Sequence, residues 1–516
     1  IKRVFLASDH AGFVLKKKIS KFLSRKGIKI LDLGTKNANS VDYPDFAHLL
    51  AKKIKTQSDF AVAGRTLTPW VLLGTMLATW MGTGSILGNA GKAYETGLAA
   101  LILPLGGVLG VVVLTQIAGK VRAYEKFTVP EILGDRFGPA ARTLSVVALV
   151  IAYMVIVSYQ YNAGGAVIHT VLKDVVLDSS NQPLISIEVG TIIAAIFIIF
   201  YTMLAGLVSV AYTDVANGII IIVSFIIAIP IFLVKAGGLE GMAIAFAEMD
   251  KDSHMNFWGV YSAMDIINFC LPSFLLIMGD ANMYQRFFAS KDAKGAKSAT
   301  KTLIIAVAIA ELMIIVAAWI ASSMIPDAEV GKYVLIYASH EFLPPFIGAI
   351  MMTTIVGIII STADSYLLVP TTTLMRDIYL NYIDKNANEK TIVLLSRALV
   401  VVLGIIAYIV SLGFAKSEGF FERALYAYTI YGAAITPSLV AALFWRGATK
   451  EGAITSILVG TLTTLLWKES DFIRIIIPDG IYNNMDEVLP AIALSVFSLV
   501  IVSVFTNKNK SKIILN

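Results

Sequence analysis

The stretch Pro69–Tyr94, PWVLLGTMLATWMGTGSILGNAGKAY, is apolar enough to enter a bilayer but is built against running through it unbroken. Pro69 suits the first turn of a helix. Gly82, Gly84 and Gly88 then sit in its interior, where each costs about 1 kcal/mol against alanine. Ile266–Ser298, IINFCLPSFLLIMGDANMYQRFFASKDAKGAKS, repeats the device with Pro272, Gly279 and Asp280 inside an apolar run. Outward from these two, runs long enough for a hydrocarbon core about 30 Å thick recur near 69–91, 97–119, 141–173, 188–207, 211–235, 262–286, 300–325, 344–376, 391–414, 423–446, 450–467 and 488–506. That makes about twelve spans, with the interrupted segments first and sixth. Small residues also serve close helix packing, so one interruption alone carries little. Two in corresponding positions of two five-span halves point to an inverted-repeat transporter.

Composition excludes other classes. Only 15% of the 516 residues are charged and 57% are hydrophobic, against about 25% charged in soluble domains. One cysteine, Cys270, rules out a disulfide framework or a cysteine-rich metal site. If the first segment is cytoplasmic, 33 of the 42 Lys and Arg fall on the cytoplasmic side and 9 on the other. The positive-inside rule therefore predicts a multi-pass protein of the plasma (inner) membrane with both termini cytoplasmic. Topology and the lipid bilayer account for the net charge of +6, and no nucleic acid is needed as partner.

Residues 1–58 read differently. KRVFLASDH suggests a buried strand, AGFVLKKKISKFLSRKG an amphipathic helix, and IKILDLG a second strand, a βαβ unit rather than a signal peptide. ASDHAGF and LDLGT…VDYPDFA resemble the start of ribose-5-phosphate isomerase B. The resemblance implies that Asp9 and His10 would contact a sugar and that Tyr43 would line the pocket. It ends near Lys55, before that family's cysteine base and glycine-rich phosphate loop. The expectation is an isomerase-like remnant fused to a transporter, not an enzyme. So short a parallel unit has little core of its own.

A third stretch, GIIISTADSYLLVPTTTLMRDIY at Gly357–Tyr379, gathers Ser361, Thr362, Asp364 and Ser365 in mid-membrane. Such residues face protein or a water-filled path rather than lipid. Hydroxyls that bond back to carbonyls one turn earlier are the bland account; ion ligation is the functional one. Together with DFAVAGR, ATWMGTGS, AGLVSVAYTDVANG, YQRFFASKDAKGAK and STADS…TTTLMRDIY, the pattern resembles the sodium/solute symporter family over residues 59–505. That resemblance implies an all-α polytopic membrane protein. Its expected form is a LeuT-like 5+5 inverted repeat with two extra C-terminal helices, preceded by the small α/β fragment. The expected domains are 1–58, 59–506, and a short basic tail at 507–516. Many family members have an extra span before DFAVAGR, and here the isomerase-like piece takes its place.

The same resemblance implies Na+ as coupling ion, with no organic cofactor. The ligands would be the carbonyls of Ala78, Met81 and Ile358 and the hydroxyls of Ser361 and Thr362. Ile358 lies one turn before the two hydroxyls, as convergence requires. Asp364 is not among the matched ligands and is assigned to the second shell or an extra cation. Asp214 in SVAYTDV is read either as lying on the inner sodium route or as a helix N-cap. Glu311, in the seventh span, is a functional candidate because a buried carboxyl there is costly; a protonated structural role is the alternative.

The solute, a small organic molecule, is expected where spans one, three, six, eight and ten meet. The candidates are Trp80, Gly82, Ser85, Tyr159, Gln160, Asp280, Asn282 and Tyr431. Sugar-carrying relatives have a Glu-Gln pair where this chain has Gly84 and Ser85. Proline-carrying relatives have an aspartate where it has Trp80. ATWMG, SVAYTD and PDGIYN look more like the choline-transporter branch, so the expected solute is a cationic or zwitterionic amine, with Trp80 and Asp280 facing the cation. Alternatives are a proton-coupled carrier of the same fold, a membrane-tethered sugar-phosphate isomerase, or a sensor that binds without transporting.

Overall fold

Two parallel strands, β1 (Arg3–Leu6) and β2 (Lys29–Asp32), open the chain with α1 (Phe13–Arg25) between them. Arg3 pairs with Lys29 and Leu6 with Asp32, and Lys16 Nζ reaches Asp32 Oδ1 at 2.7 Å. This is the βαβ order read from the sequence. The structure, a computed structural model, describes residues 3–6, 13–25, 29–32, 57–173, 175–177, 183–204, 207–414, 419–482 and 484–507. Asp9, His10, Tyr43 and the basic tail beyond Asn507 lie outside the described residues.

The remainder is helical. The first broken segment is α2 (Pro69–Trp80) followed by a π-helical turn at Gly84–Asn89 and α3 (Ala90–Thr96). Then come α4 (Leu105–Ala123), α5 (Pro139–Leu172), α6 (Ile187–Leu204) and α7 (Leu207–Lys235). The second broken segment is α8 (Ala263–Gly279) and α9 (Ala281–Ala289). The chain continues as α10 (Ala293–Ser322), α11 (Pro345–Thr373), α12 (Glu389–Phe414), α13 (Phe420–Phe444), α14 (Lys450–Glu469) and α15 (Val488–Asn507).

Among the described residues, ten helices are long and apolar enough to span a membrane, or eleven with the bent pair 69–80 and 84–102 taken as one span. The difference from twelve lies at α14. It is a continuous helix, but Thr455, Ser456, Thr461, Thr463 and Thr464 dilute its apolar face. Packing against α13 and α15 keeps it in the bundle. The second span also starts later than expected, because Gly97–Ile102 forms a short 3-10 helix first. Gly97 turns the chain there at φ +64, with the His254 backbone where a Cβ would stand.

At 34 residues, α5 is about 51 Å long and packs on α6, α11, α12 and α13. Its Gly165 faces Gly190 of α6, where a Cβ on either would overlap the partner's backbone or Thr191. Small residues at membrane-helix contacts let backbones approach in this way. The face of α4 does the same for the site. A Cβ on Gly106 would lie 1.9 Å from the Cys270 carbonyl oxygen of α8, and one on Gly107 would lie 2.4 Å from Trp80 Cη2.

Gly106→Ala is therefore expected to force α4 and α8 apart, with an overpacking cost of about 1–3 kcal/mol. Thermal unfolding of the purified protein should show a lowered transition. An unchanged transition would contradict the close approach.

Candidate functional site

The break after α2 frees two carbonyls. In an unbroken helix, Gly82 N–H would bond the carbonyl of Ala78 and Ser85 N–H that of Met81. Instead Gly82 N–H donates to Trp80 O at 2.9 Å and Ser85 N–H to Gly82 O at 3.1 Å. Met81 leaves helical geometry at φ −78, ψ 79, and the two half-spans meet at 49°. Ala78 and Met81, both buried, thus present oxygens that are not used in the helix.

Opposite them stands α11. The side chain of Thr362 packs on the break, so that a Cβ on Gly82 would lie 3.1 Å from Thr362 Oγ1 and 2.9 Å from Cγ2. Thr362 is 3% exposed, and its Oγ1 has no hydrogen-bond partner. A buried hydroxyl without a partner is costly. Ile358 is buried one turn earlier, and Ser361 is buried beside Thr362. Unlike Thr362, Ser361 is engaged: its hydroxyl donates to Asp214 Oδ1 at 2.5 Å.

Asp214 joins a fully buried cluster. It accepts from Thr75 Oγ1 of α2 at 2.5 Å and lies 3.6 Å from Arg286 Nη2 of α9. Arg286 also donates to Ser365 Oγ of α11 at 2.7 Å, to Thr75 and to Asn282 O. Both Asp214 and Arg286 have fully buried side chains. Asp214 sits two turns inside α7, so the N-cap reading is set aside. Asp364, also buried, accepts from Thr202 of α6.

The second break places Asp280 between α8 and α9. Its Oδ1 accepts from Tyr153 and from Asn282 N–H at 3.2 Å, while Oδ2 is buried with no partner. Tyr431 Oη donates to the Gly279 carbonyl at 2.8 Å, which supports the freed end of α8.

Next to the first break lies a narrow cavity between α2, α4, α8, α10, α11 and α13. Of the expected solute residues, Trp80, Ser85 and Asp280 line it. Gly82 packs on Thr362 instead, and buried Tyr159 stands behind the wall, its side chain hydrogen-bonded to that of Tyr428. Gln160 accepts from Thr83 of the break, with its Nε2 unpartnered, and both amide atoms of Asn282 are likewise unpartnered. Tyr431 acts through Gly279, as described. Among the wall residues that escaped the sequence reading are Asn89, Tyr366, Phe421 and Tyr428. None has a motif, and only the fold brings them together. Glu311 stood out in the sequence as a costly acid, and here it lines the same cavity. Phe421 also lines a larger recess that holds Lys92, Glu95 and Glu422. Lys92 bridges the two glutamates at 2.7 Å each.

A model of the sodium:solute symporter family matches residues 60–460, and a ribose/galactose isomerase model matches residues 4–65. Two proline transporters of Bacillus subtilis (strain 168) are similar to the chain. The osmoregulated transporter OpuE is 25% identical over 474 residues, covering 89% of this chain and 91% of its own. The high-affinity transporter PutP is 25% identical, covering 88% and 94%. Among solved structures, a Na+-coupled sialic acid symporter in a substrate-bound outward-open state superposes with TM-score 0.71 at 16% identity, covering 89% of this chain and 94% of that one. MhsT in complex with L-phenylalanine gives TM-score 0.53 at 14% identity, covering 85% and 98%. The fold is thus LeuT-like, with the helix breaks on its first and sixth spans.

The buried ion pair generates a test of its own. Asp214→Asn leaves Arg286 charged and unpaired, and should destabilise the protein by about 3–5 kcal/mol. Adding Arg286→Met should recover part of that loss in thermal unfolding. Equal stability of Asp214→Asn and wild type would contradict the pairing.

Proposed function

This chain belongs to the sodium:solute symporter family, and from that premise we propose that it couples the inward sodium gradient to uptake of a small zwitterionic amino acid of proline's kind. It is a multi-pass membrane transporter rather than an enzyme. The observation that carries the ion site is the buried, unpartnered hydroxyl of Thr362 facing the break where Ala78 and Met81 release their carbonyls. With the Ile358 carbonyl and the Ser361 hydroxyl, these supply five oxygens of the neutral kind suited to a monovalent ion held by an unwound helix. Asp214 is placed next to this shell through Ser361, and Asp364 farther back on α11, so both act on the ion indirectly or along its route.

The solute is assigned to the cavity bordered by Trp80, Ser85 and Asp280. Tyr159, Gln160, Asn282, Gly82 and Tyr431 shape its supports. A simple cationic amine and the choline-like leaning of ATWMG give way to a zwitterion, since the relatives reported above are named as proline transporters. Trp80, where proline carriers are expected to hold an aspartate, makes the nitrogen contact different in this chain. Ion and solute sites share the α2 break, so binding of one favours the packing that receives the other, and the coupling is reciprocal. The transporter is assigned to residues 59–506, with both termini on the cytoplasmic side and 1–58 as an appended isomerase-like unit.

Reconstituted protein should take up labelled L-proline, or a related zwitterion, only with an inward sodium gradient. Ser361→Ala combined with Thr362→Ala should lower that uptake at least about tenfold, as loss of about 1.4 kcal/mol or more of ion binding requires. Sodium-independent uptake that survives both substitutions would overturn the assignment.

A further inference from the structure

We propose that Glu311 of α10 selects a solute bearing a positively charged nitrogen, and that it does so together with the free oxygen of Asp280. The proposal deepens the solute reading above and rests on it. Three donors converge on the Glu311 carboxyl. Trp80 Nε1 reaches Oε1 at 2.8 Å, Ser85 Oγ reaches Oε1 at 2.5 Å, and Asn89 Nδ2 reaches Oε2 at 3.0 Å. An indole N–H and an amide NH2 only donate, so this set suits a carboxylate. Glu311 is 2% exposed and Asp280 1%.

The cavity wall therefore carries two acids, and among its described lining residues there is no lysine, arginine or histidine. Asp280 Oδ2 is buried without a partner, whereas Oδ1 is fixed by Tyr153 and by the Asn282 N–H. Asp280 caps the N-terminus of α9 and shares the charge of Arg286 on that helix, whereas the partners of Glu311 are all neutral. A buried acid without a cation in the low-dielectric middle of a membrane protein is costly and is ordinarily matched by one. Four rings border the same space, those of Trp80, Tyr366, Phe421 and Tyr428; Lys92 Nζ already lies over Phe421 at 5.5 Å, and the other three rings attract an ammonium further. The hydrogen bond from Trp80 to Glu311 also fixes the indole, so this one acid sets both charge and shape. The ligand class is a small zwitterion whose nitrogen is a secondary to quaternary ammonium.

The test compares ligand pairs that differ in charge at one atom. L-proline is set against cyclopentanecarboxylate, and glycine betaine against 3,3-dimethylbutanoate. Each is read as sodium-dependent thermal stabilisation of the full-length purified protein, since selective binding to the native state raises its apparent stability. Only members with a cationic nitrogen should stabilise the wild type. Glu311→Gln keeps acceptors for Trp80 and Ser85 but removes the charge. It should raise the apparent Kd for the nitrogen-bearing member at least about tenfold and abolish the preference over the nitrogen-free partner. Glu311→Asp should retain the preference at lower affinity, a rescue that a packing role would not produce.

Equal stabilisation by the nitrogen-free partners, wild-type affinity in Glu311→Gln, or no stabilisation by any nitrogen-bearing member would overturn the proposal. Failure of the sodium reading gives a different signature. Stabilisation would then be the same in potassium, and insensitive to Ser361→Ala with Thr362→Ala, whatever the charge preference.

Discussion

Backbone carbonyls have no water to turn to inside a bilayer, so each one released from a helix must find another partner. At the break after α2 this constraint decides the architecture. Gly82 and Ser85 turn their N–H groups to Trp80 and Gly82, and the oxygens of Ala78 and Met81 lose their helical partners at the point where the break packs on α11. There Thr362 offers a hydroxyl that no protein atom engages. The remaining geometry follows from holding this gap at the right width. Gly82 admits Thr362, Gly107 admits the Trp80 ring, and Gly106 brings α8 against α4.

In the function proposed above, the same break would be the means of coupling. On one side Gly82 packs on Thr362 of α11; on the other, Trp80 and Ser85 line the neighbouring cavity and donate to Glu311. A shift of the break changes both environments at once. Arg286 ties the arrangement together from below. Through Asp214, Thr75, Ser365 and Asn282 it connects α2, α7, α9 and α11. Breaking a buried pair by removing one partner leaves a bare charge, so the cluster favours discrete packings over gradual deformation.

Much of this was legible in the chain itself. Glycines 82, 84 and 88, with Gly279, mark both breaks because their cost inside a helix is local and independent of the fold, whereas Pro272 is held inside the continuous α8. The Ser361–Thr362 pair stands out because hydroxyls are conspicuous in an apolar run. What the sequence hid is long-range. Glu311 and Trp80 are 231 positions apart, and nothing near either residue announces the other. Asn89, Tyr366, Phe421 and Tyr428 look like ordinary helix residues until the fold places them around one space. Asp214 looked like a possible cap because the apolar run was placed from 211, whereas the helix already begins at Leu207. Where α14 lies, threonines blur the apolar signal that packing against α13 and α15 makes good.

Binding of radioactive sodium to the purified protein, with no solute present, tests the ion centre most directly. The account predicts a saturable component that potassium does not displace, lost in Thr362→Ala and kept in Glu311→Gln. Undiminished binding in Thr362→Ala, or no saturable component in the wild type, would contradict it.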